Sequence, residues 1–154
     1  MTFKKNILLF FFIISLGTTG ICNITLPRLI SDGMVLQRDQ KIKIWGWADA
    51  NEKVTVTFNK NKYSTTTLAN GTWSVVINPI KAGGPYRMQI AGNNTITIEN
   101  ILAGDVLICA GQSNMVHSLK LHQERYANEI AQANNSQIRN FTIPTTTNLI
   151  NQTT

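Results

Sequence analysis

Apolar and polar residues alternate in short runs between Lys41 and Glu99. The clearest run places Val54, Val56 and Phe58 between lysine and threonine residues. Alternation with a period of two is typical of a β-strand with one buried and one solvated face. Further runs of this kind have apolar residues at Ile42 and Ile44, at Trp73, Val75 and Ile77, at Tyr86, Met88 and Ile90, and at Ile96 and Ile98.

Turn residues separate these runs. The sequence "ANGT" at 69–72 predicts a tight hairpin, and "KAGGP" at 81–85 and "GNN" at 92–94 predict loops. Short strands at this spacing favour an antiparallel β-sandwich over residues 24–102. We expect six of its side chains to face inward: Val54, Val56, Phe58, Trp73, Ile96 and Ile98.

Two tryptophans fall on the opposite strand face from their apolar neighbours. Trp45 and Trp47 alternate with Ile42 and Ile44, so the two pairs point to different sides of the strand. An indole on such a face can stack on a sugar, or it can fill core or pack on a neighbouring domain. The sequence leaves both interpretations open.

The pattern changes at Gly104. The run Val106–Ala110 is continuously apolar, as expected for a strand buried on both faces of a parallel sheet. A helix is predicted next, because apolar residues recur at helical spacing at Leu119, Tyr126 and Ile130. Residues 137–144 predict a second strand. A single βαβ unit cannot cover its own sheet, so residues 104–154 are expected to be the incomplete start of an α/β domain.

Residues 1–22 have the layout of a secretory signal peptide. Lys4 and Lys5 precede an apolar stretch, Ile7–Leu16, and small residues follow. The apolar stretch is short for a membrane span, although an uncleaved anchor helix is the alternative. We therefore expect a secreted or periplasmic protein that has no membrane association after cleavage.

Cleavage changes both the charge and the number of cysteines. A cut after Gly20 or Cys22 suits the preference for small residues, whereas Ile21 disfavours a lipid anchor on Cys22. Loss of the two leader lysines lowers the formal net charge from +6 to +4. With no basic run in the remaining chain, nucleic acid is not an expected partner. Cys109 lies inside the apolar run, and an intrachain disulfide is not expected.

Ser113 follows the apolar run closely, after Gly111 and Gln112, in "DVLICAGQSNM". A serine in this position can cap the next helix. A serine on the sharp turn between a buried strand and a helix can also be a hydrolase nucleophile. Met115 stands where the G-x-S-x-G elbow has its second glycine, so the spacing alone leaves both interpretations open.

The segment "GDVLICAGQSNM", Gly104–Met115, resembles the nucleophile block of the sialate O-acetylesterase family, a branch of the SGNH hydrolases with the hallmark GDVWLCSGQSNM. Residues 26–58 resemble the N-terminal β-domain of that family, and residues 129–144 are also similar. Leu107 and Ala110 depart from the common tryptophan and serine. The resemblance implies a β-sandwich followed by the first βαβ part of an SGNH-hydrolase-like α/β domain.

The resemblance also implies roles for four residues of the motif. Ser113 matches the nucleophile, and its backbone N–H would be one oxyanion donor. Gly111 would permit the tight turn, while Gln112 and Asn114 would support turn geometry or contact substrate. The later oxyanion donors and the histidine base of the family have no counterpart before Thr154, so this chain is expected to be a fragment with little activity of its own.

The two histidines, His117 and His122, need separate consideration. On a helix His117 would share a face with Ser113. However, a base for a serine held in a turn is expected from a distant loop, so both histidines are predicted to be surface or cleft-lining residues. No group of His, Cys, Asp or Glu has metal-ligand spacing, and no metal or cofactor is expected.

The favoured function is an exported serine esterase that removes O-acetyl groups from sialic acids or related glycans. Its partner would be an O-acetylated sialic acid or another acetylated glycan. One alternative is a non-catalytic glycan-binding or scaffold protein in which the sandwich is the functional part. Another is an acetylxylan-type esterase, because the serine block does not identify the sugar.

Overall fold

The computed structural model describes residues 23–111, 113–115 and 117–143. The predicted signal peptide lies outside these residues and stays a prediction. Seven strands occupy the first part of the described chain: β1 (Val35–Gln37), β2 (Ile42–Trp47), β3 (Lys53–Phe58), β4 (Asn61–Thr66), β5 (Thr72–Ile77), β6 (Gly83–Ala91) and β7 (Thr95–Gly104). Two short 3₁₀ turns and one helix, α1 (Gln123–Gln132), follow. The prediction of a β-rich first region is confirmed.

The strands form two sheets. A five-stranded sheet has the order β1-β7-β6-β3-β4, and β2 pairs with β5 in a two-stranded sheet. The expectation that all strands are antiparallel is wrong for one pair, since β1 runs parallel to β7 with Val35 opposite Leu102. Parallel neighbours need a long connection, and the intervening five strands supply it.

Alternation along the strands decides which side chains enter the core. On β3 the side chains of Val54 and Val56 are fully buried, whereas Thr55 between them stays partly exposed. The predicted inward residues are confirmed: five are at most 3% exposed, and Ile96 is half-buried against the same core. Residues of both sheets contribute to one cluster, including Ile44 of β2. Burying such a side chain stabilises the fold by roughly 1.5–3 kcal/mol.

A tight turn after β4 carries the chain from one sheet to the other. The Gly71 N–H donates to the Leu68 carbonyl and the Leu68 N–H donates to the Thr72 carbonyl, both at 2.9 Å. The predicted hairpin at 69–72 is nevertheless wrong, because β4 and β5 lie in different sheets. β5 pairs with β2 instead, and this pairing directs its apolar face into the shared core.

The hairpin that does form joins β3 to β4. Asn59 and Lys60 occupy its turn with left-handed φ values of 45° and 65°. Two consecutive left-handed residues match the twist of the flanking strands. β4 carries mostly exposed polar residues and only Tyr63 packs against the core, so its sequence lacks the apolar alternation that marks the other strands.

The apolar run Val106–Ala110 forms neither a helix nor a strand. The predicted buried strand is wrong in this structure, since Leu107 is 84% and Ile108 is 93% exposed. The second predicted strand is also absent from residues 137–143, the part of it that the structure describes. A strand needs a neighbour to pair with its N–H and carbonyl groups, and no described segment pairs with either run.

The predicted helix is confirmed in α1. Tyr126 and Ile130 are its half-buried residues, while Leu119 lies in the preceding 3₁₀ turn, Leu119–His122. Within the described ranges, no helix is long and apolar enough to cross a membrane.

Candidate active site

Two contacts tie the start of the serine segment, residues 105–118, to the end of β1. Arg38 Nε donates to Asp105 Oδ1 at 2.9 Å, and the Val106 N–H donates to Gln37 Oε1 at 2.9 Å. The hydrogen bond and negative charge of Asp105 raise the pKa of Arg38 above its usual value. Both members of the ion pair are well exposed, so the contact orients the segment more than it stabilises the fold.

Ser113 begins a 3₁₀ turn, Ser113–Met115, with its side chain exposed. The interpretation of Ser113 as a cap of the following helix is not supported, because α1 begins at Gln123 with His122 at its N-cap position. Among the described residues nothing forms a hydrogen bond with the Ser113 hydroxyl. The hydroxyl is therefore accessible to a substrate, as a nucleophile must be.

Gly111 occupies a position without room for a side chain. A Cβ placed there would lie 2.5 Å from Met115 Cγ, because the methionine side chain folds back over the glycine. This packing is consistent with the predicted role of Gly111 in permitting the turn before Ser113. Asn114 is exposed in the same turn, while Gln112 lies outside the described residues.

The structure does not place a histidine against the candidate nucleophile. His117 and His122 lie near each other, with ring centroids 5.8 Å apart, and both are exposed. No hydrogen bond joins either imidazole to Ser113 within the described part of the chain. A serine hydroxyl without a base is a weak nucleophile, so these residues alone do not form an activated serine.

The described ranges also contain no group of three or more His, Cys, Asp or Glu side chains that could hold a metal ion. Cys109 is exposed in the serine segment and is not in a disulfide. The chemistry available at the turn is therefore that of a hydroxyl, backbone N–H groups and the Asn114 amide.

Arg139 makes a connection that the sequence did not predict. Its guanidinium donates to the Gly33 carbonyl and to Asn100 Oδ1, both at 2.8 Å, and also to the Asn100 carbonyl. These acceptors lie before β1 and within β7. The contact fastens the segment after α1 to the same side of the five-stranded sheet where β1 meets β7. The available signal was a charged residue, Arg139, directly after the apolar Ile138 in the predicted second strand.

The fold resembles that of a known carbohydrate esterase. A crystal structure of a carbohydrate acetylesterase from Xanthomonas citri superposes with a TM-score of 0.70 at 36% sequence identity, covering 75% of this chain and 26% of that protein. The similarity in both sequence and fold places the chain beside carbohydrate acetylesterases.

Curated relatives of the chain include sialate O-acetylesterases. The chain is 35% identical to the sialate O-acetylesterase of Homo sapiens over 98 residues and 37% identical to that of Mus musculus. The matches cover 56% of this chain but only 19% and 18% of those proteins. No family model matches. The chain is a homologue of sialate O-acetylesterases, which confirms the resemblance, and it spans about a fifth of the length of these relatives.

Proposed function

We propose that this chain is the N-terminal part of an exported serine esterase that removes O-acetyl groups from sialic acids or related glycans. The observation that carries the proposal is the exposed Ser113 of an intact GQSNM motif, directly after the β-rich region of a sialate O-acetylesterase homologue. In this proposal residues 24–102 act as a β-sandwich domain, and residues 104–154 begin an SGNH-like α/β domain.

The proposed reaction uses the Ser113 hydroxyl as the nucleophile. Its oxygen attacks the acetyl carbonyl while a base takes its proton, and the Ser113 N–H stabilises the resulting oxyanion. Collapse releases the sugar hydroxyl and leaves an acetyl-serine, which water hydrolyses to acetate. Gly111 keeps the turn compact through its contact with Met115, and Gln112 and Asn114 support the turn or contact substrate.

The base is proposed to come from a segment other than residues 113–143. The two histidines near Ser113 do not contact its hydroxyl in the described chain, and the apolar side chains of Val106–Ile108 lie open for a neighbouring strand to cover. On this proposal the 154-residue chain hydrolyses acetate esters poorly, because loss of a catalytic partner removes several orders of magnitude in rate.

The layout of residues 1–22 supports export, and on that basis we propose a secreted or periplasmic location. An acetylated glycan outside the cytoplasm is a substrate that such a location makes available. The sialate esterase and the acetylxylan-type alternative differ in the sugar that carries the acetyl group.

A non-catalytic glycan-binding function is the second candidate. The specific observation in its favour is the well-formed β-rich region with two tryptophans at its surface, beside a serine segment that has no base among the described residues. In that case Ser113 would have no part in the activity of the protein.

The test compares ester hydrolysis by variants of a longer natural form of the chain and of the 154-residue chain. Substrates are 9-O-acetyl-N-acetylneuraminic acid, acetylated xylo-oligosaccharides and p-nitrophenyl acetate. Ser113→Ala should reduce turnover by at least about a thousandfold, while Ser118→Ala, an exposed serine without a side-chain capping bond, should retain it. Equal activity of Ser113→Ala and wild type in the longer form would refute the esterase proposal.

A further inference from the structure

A shallow groove lies where the two-stranded sheet meets β4. It has a volume of about 430 Å³ and is bordered by residues of β2, β4 and β5, including Trp45, Trp47, Trp73, Thr66 and Lys43. Small-ligand sites commonly have volumes of roughly 300–1,000 Å³, apolar walls and a few polar groups. No described residue of the serine segment borders this groove.

Two indoles form a corner in the groove. The rings of Trp45 and Trp47 have centroids 5.2 Å apart and planes inclined by 77°. Trp45 is half-buried against the core, so its position is held by packing. Trp47 is 40% exposed. The exposed face of Trp47 can stack on the apolar face of a pyranose. The Trp45 ring, which stands at a steep angle to it, can then contact the side of the same sugar.

Polar groups stand directly opposite the indoles. The pairing of β2 with β5 sets Trp45 across from Ser74 and Trp47 across from Thr72. Both hydroxyl residues border the groove. A hydroxyl can donate and accept hydrogen bonds, which suits the hydroxyl groups of a sugar that lies on the neighbouring indole.

Lys43 adds a positive charge to the same strand face. It is exposed, and it forms no ion pair with any residue that the structure describes. An unpaired ammonium beside aromatic rings and hydroxyls selects for a ligand with a carboxylate. The groove therefore combines features suited to an acidic sugar.

Trp73 lies beneath the groove, as part of the hydrophobic core. It borders the groove and is only 3% exposed, yet its indole N–H finds no hydrogen-bond partner among the described residues. A buried donor left unpaired is uncommon and destabilising. The nitrogen itself is inaccessible, and Trp73 alternates along β5 with the more exposed Thr72 and Ser74, so this indole forms the inner wall of the groove and does not contact the sugar.

We propose that the groove around Trp45 and Trp47 binds a sugar that carries a carboxylate, as a glycan-binding site separate from the ester chemistry of Ser113. The Trp47 ring stacks on the sugar, Lys43 pairs with the carboxylate, and Ser74 and Thr72 hydrogen-bond to hydroxyl groups. The site depends only on the β-rich region, so it holds whether or not the serine segment is catalytic.

The test uses the indole N–H signals of the full 154-residue chain. The sequence has three tryptophans, so Trp45→Phe and Trp47→Phe assign all three signals in a ¹⁵N-correlated NMR spectrum. Titrations use 3′-sialyllactose and glucuronic-acid-substituted xylotriose as acidic probes, and lactose as the neutral probe. An acidic probe should shift the Trp45 and Trp47 signals more than the Trp73 signal, and it should bind more tightly than lactose by about threefold, the size expected from an exposed ion pair.

Variants separate the contributions. Trp47→Ala should weaken binding of the preferred acidic probe by about tenfold or more, and Trp47→Phe should retain part of it. Lys43→Met should remove the preference for the acidic probe. Lys62→Met, which deletes a charge from an exposed position on β4 that does not border the groove, and Ser113→Ala should both bind as wild type does.

Each contrary result refutes the proposal. Equal binding of lactose and both acidic probes would refute the role of Lys43. Indole signals that do not respond to any probe, or binding that survives Trp47→Ala in a variant with an unchanged amide spectrum, would refute the groove as a sugar site. Which acidic probe binds more tightly distinguishes a sialic acid from a uronic acid.

Discussion

Arg139 and Asn100 are joined by a two-pronged contact in which one guanidinium binds both the main-chain and side-chain oxygens of the asparagine. Asn100 has a left-handed φ of 57°, a conformation that asparagine tolerates better than most residues. The side chain of Arg139 is thereby held to β7, and the segment after α1 is held with it.

Replacing Arg139 by lysine should release that segment. Lysine keeps the charge but lacks the planar fork that reaches several acceptors at once. We expect faster amide hydrogen exchange over residues 136–143 and a loss of at most about 1–2 kcal/mol in the free energy of unfolding. The matched control is Arg125→Lys, whose guanidinium lies over the Tyr126 ring instead. Unchanged exchange in the Arg139 variant would contradict the anchoring role.

A buried charge on β3 should unfold the β-rich region. Val56 is fully buried, so Val56→Asp is expected to lower the free energy of unfolding by about 3–5 kcal/mol. Val76→Asp makes the same change at a position that is 54% exposed and should cost less than about 1 kcal/mol. Urea denaturation measures both, and similar losses in the two variants would show the inward face to be wrongly assigned.

The carboxyl group of Asp39 should titrate unusually low. The hydrogen bond from Lys81 Nζ, at 2.7 Å, lowers the pKa of Asp39 below its ordinary value of 3.8, and the charges of Lys81 and Arg38 act in the same direction. A lowered pKa in the folded state means that the ion pair stabilises the fold above pH 3.8. That stabilisation is lost as the pH falls through the lower pKa that Asp39 has in the folded state.

Lys81→Met should therefore raise the pKa of Asp39 towards 3.8 and make stability less sensitive to acid. An NMR titration of the Asp39 carboxyl, together with denaturation at several acid pH values, measures both effects. Lys41→Met removes a nearby exposed lysine that forms no ion pair with a described residue and serves as the control. If the pKa of Asp39 is the same in wild type and in Lys81→Met, the contact between Lys81 and Asp39 is not formed in solution.

Residues 1–22 should direct export. Expression in a bacterial host is expected to yield mature protein outside the cytoplasm, cut after Gly20 or Cys22. N-terminal sequencing identifies the first residue. Lys4→Glu with Lys5→Glu should slow processing, because the leader then lacks its positive start. Exported wild type that still begins at Met1 would contradict cleavage, and membrane-bound uncut protein would support the anchor-helix alternative.

Much of the β-rich region is determined by the sequence alone. The alternation at Val54, Val56 and Phe58 assigns the buried face of β3 because successive side chains on a strand point to opposite sides. This is a local property that holds whichever strand is the neighbour. The GQSNM block likewise identifies the candidate nucleophile and its relatives without any coordinates, because its information lies in residue types at fixed spacing.

Strand partners, by contrast, are decided only by the tertiary structure. The parallel pairing of β1 with β7 and the transfer of the chain between sheets at Gly71 both join elements that local pattern does not connect. The sequence pattern did not predict β4, because its mostly polar residues form a strand only through the Asn59–Lys60 turn and the pairing with β3. Pairing energy depends on neighbours brought together from distant parts of the chain.

In the serine segment, local pattern predicted a strand that the tertiary structure does not form. The apolar character of Val106–Ala110 predicts a buried strand, but an apolar run becomes a strand only when another backbone lies beside it to pair with its N–H and carbonyl groups. The sequence determined which residues carry the candidate chemistry. The surroundings of that run, and the anchoring of Arg139 on Asn100, were decided by contacts between residues far apart in the chain, which residue periodicity does not encode.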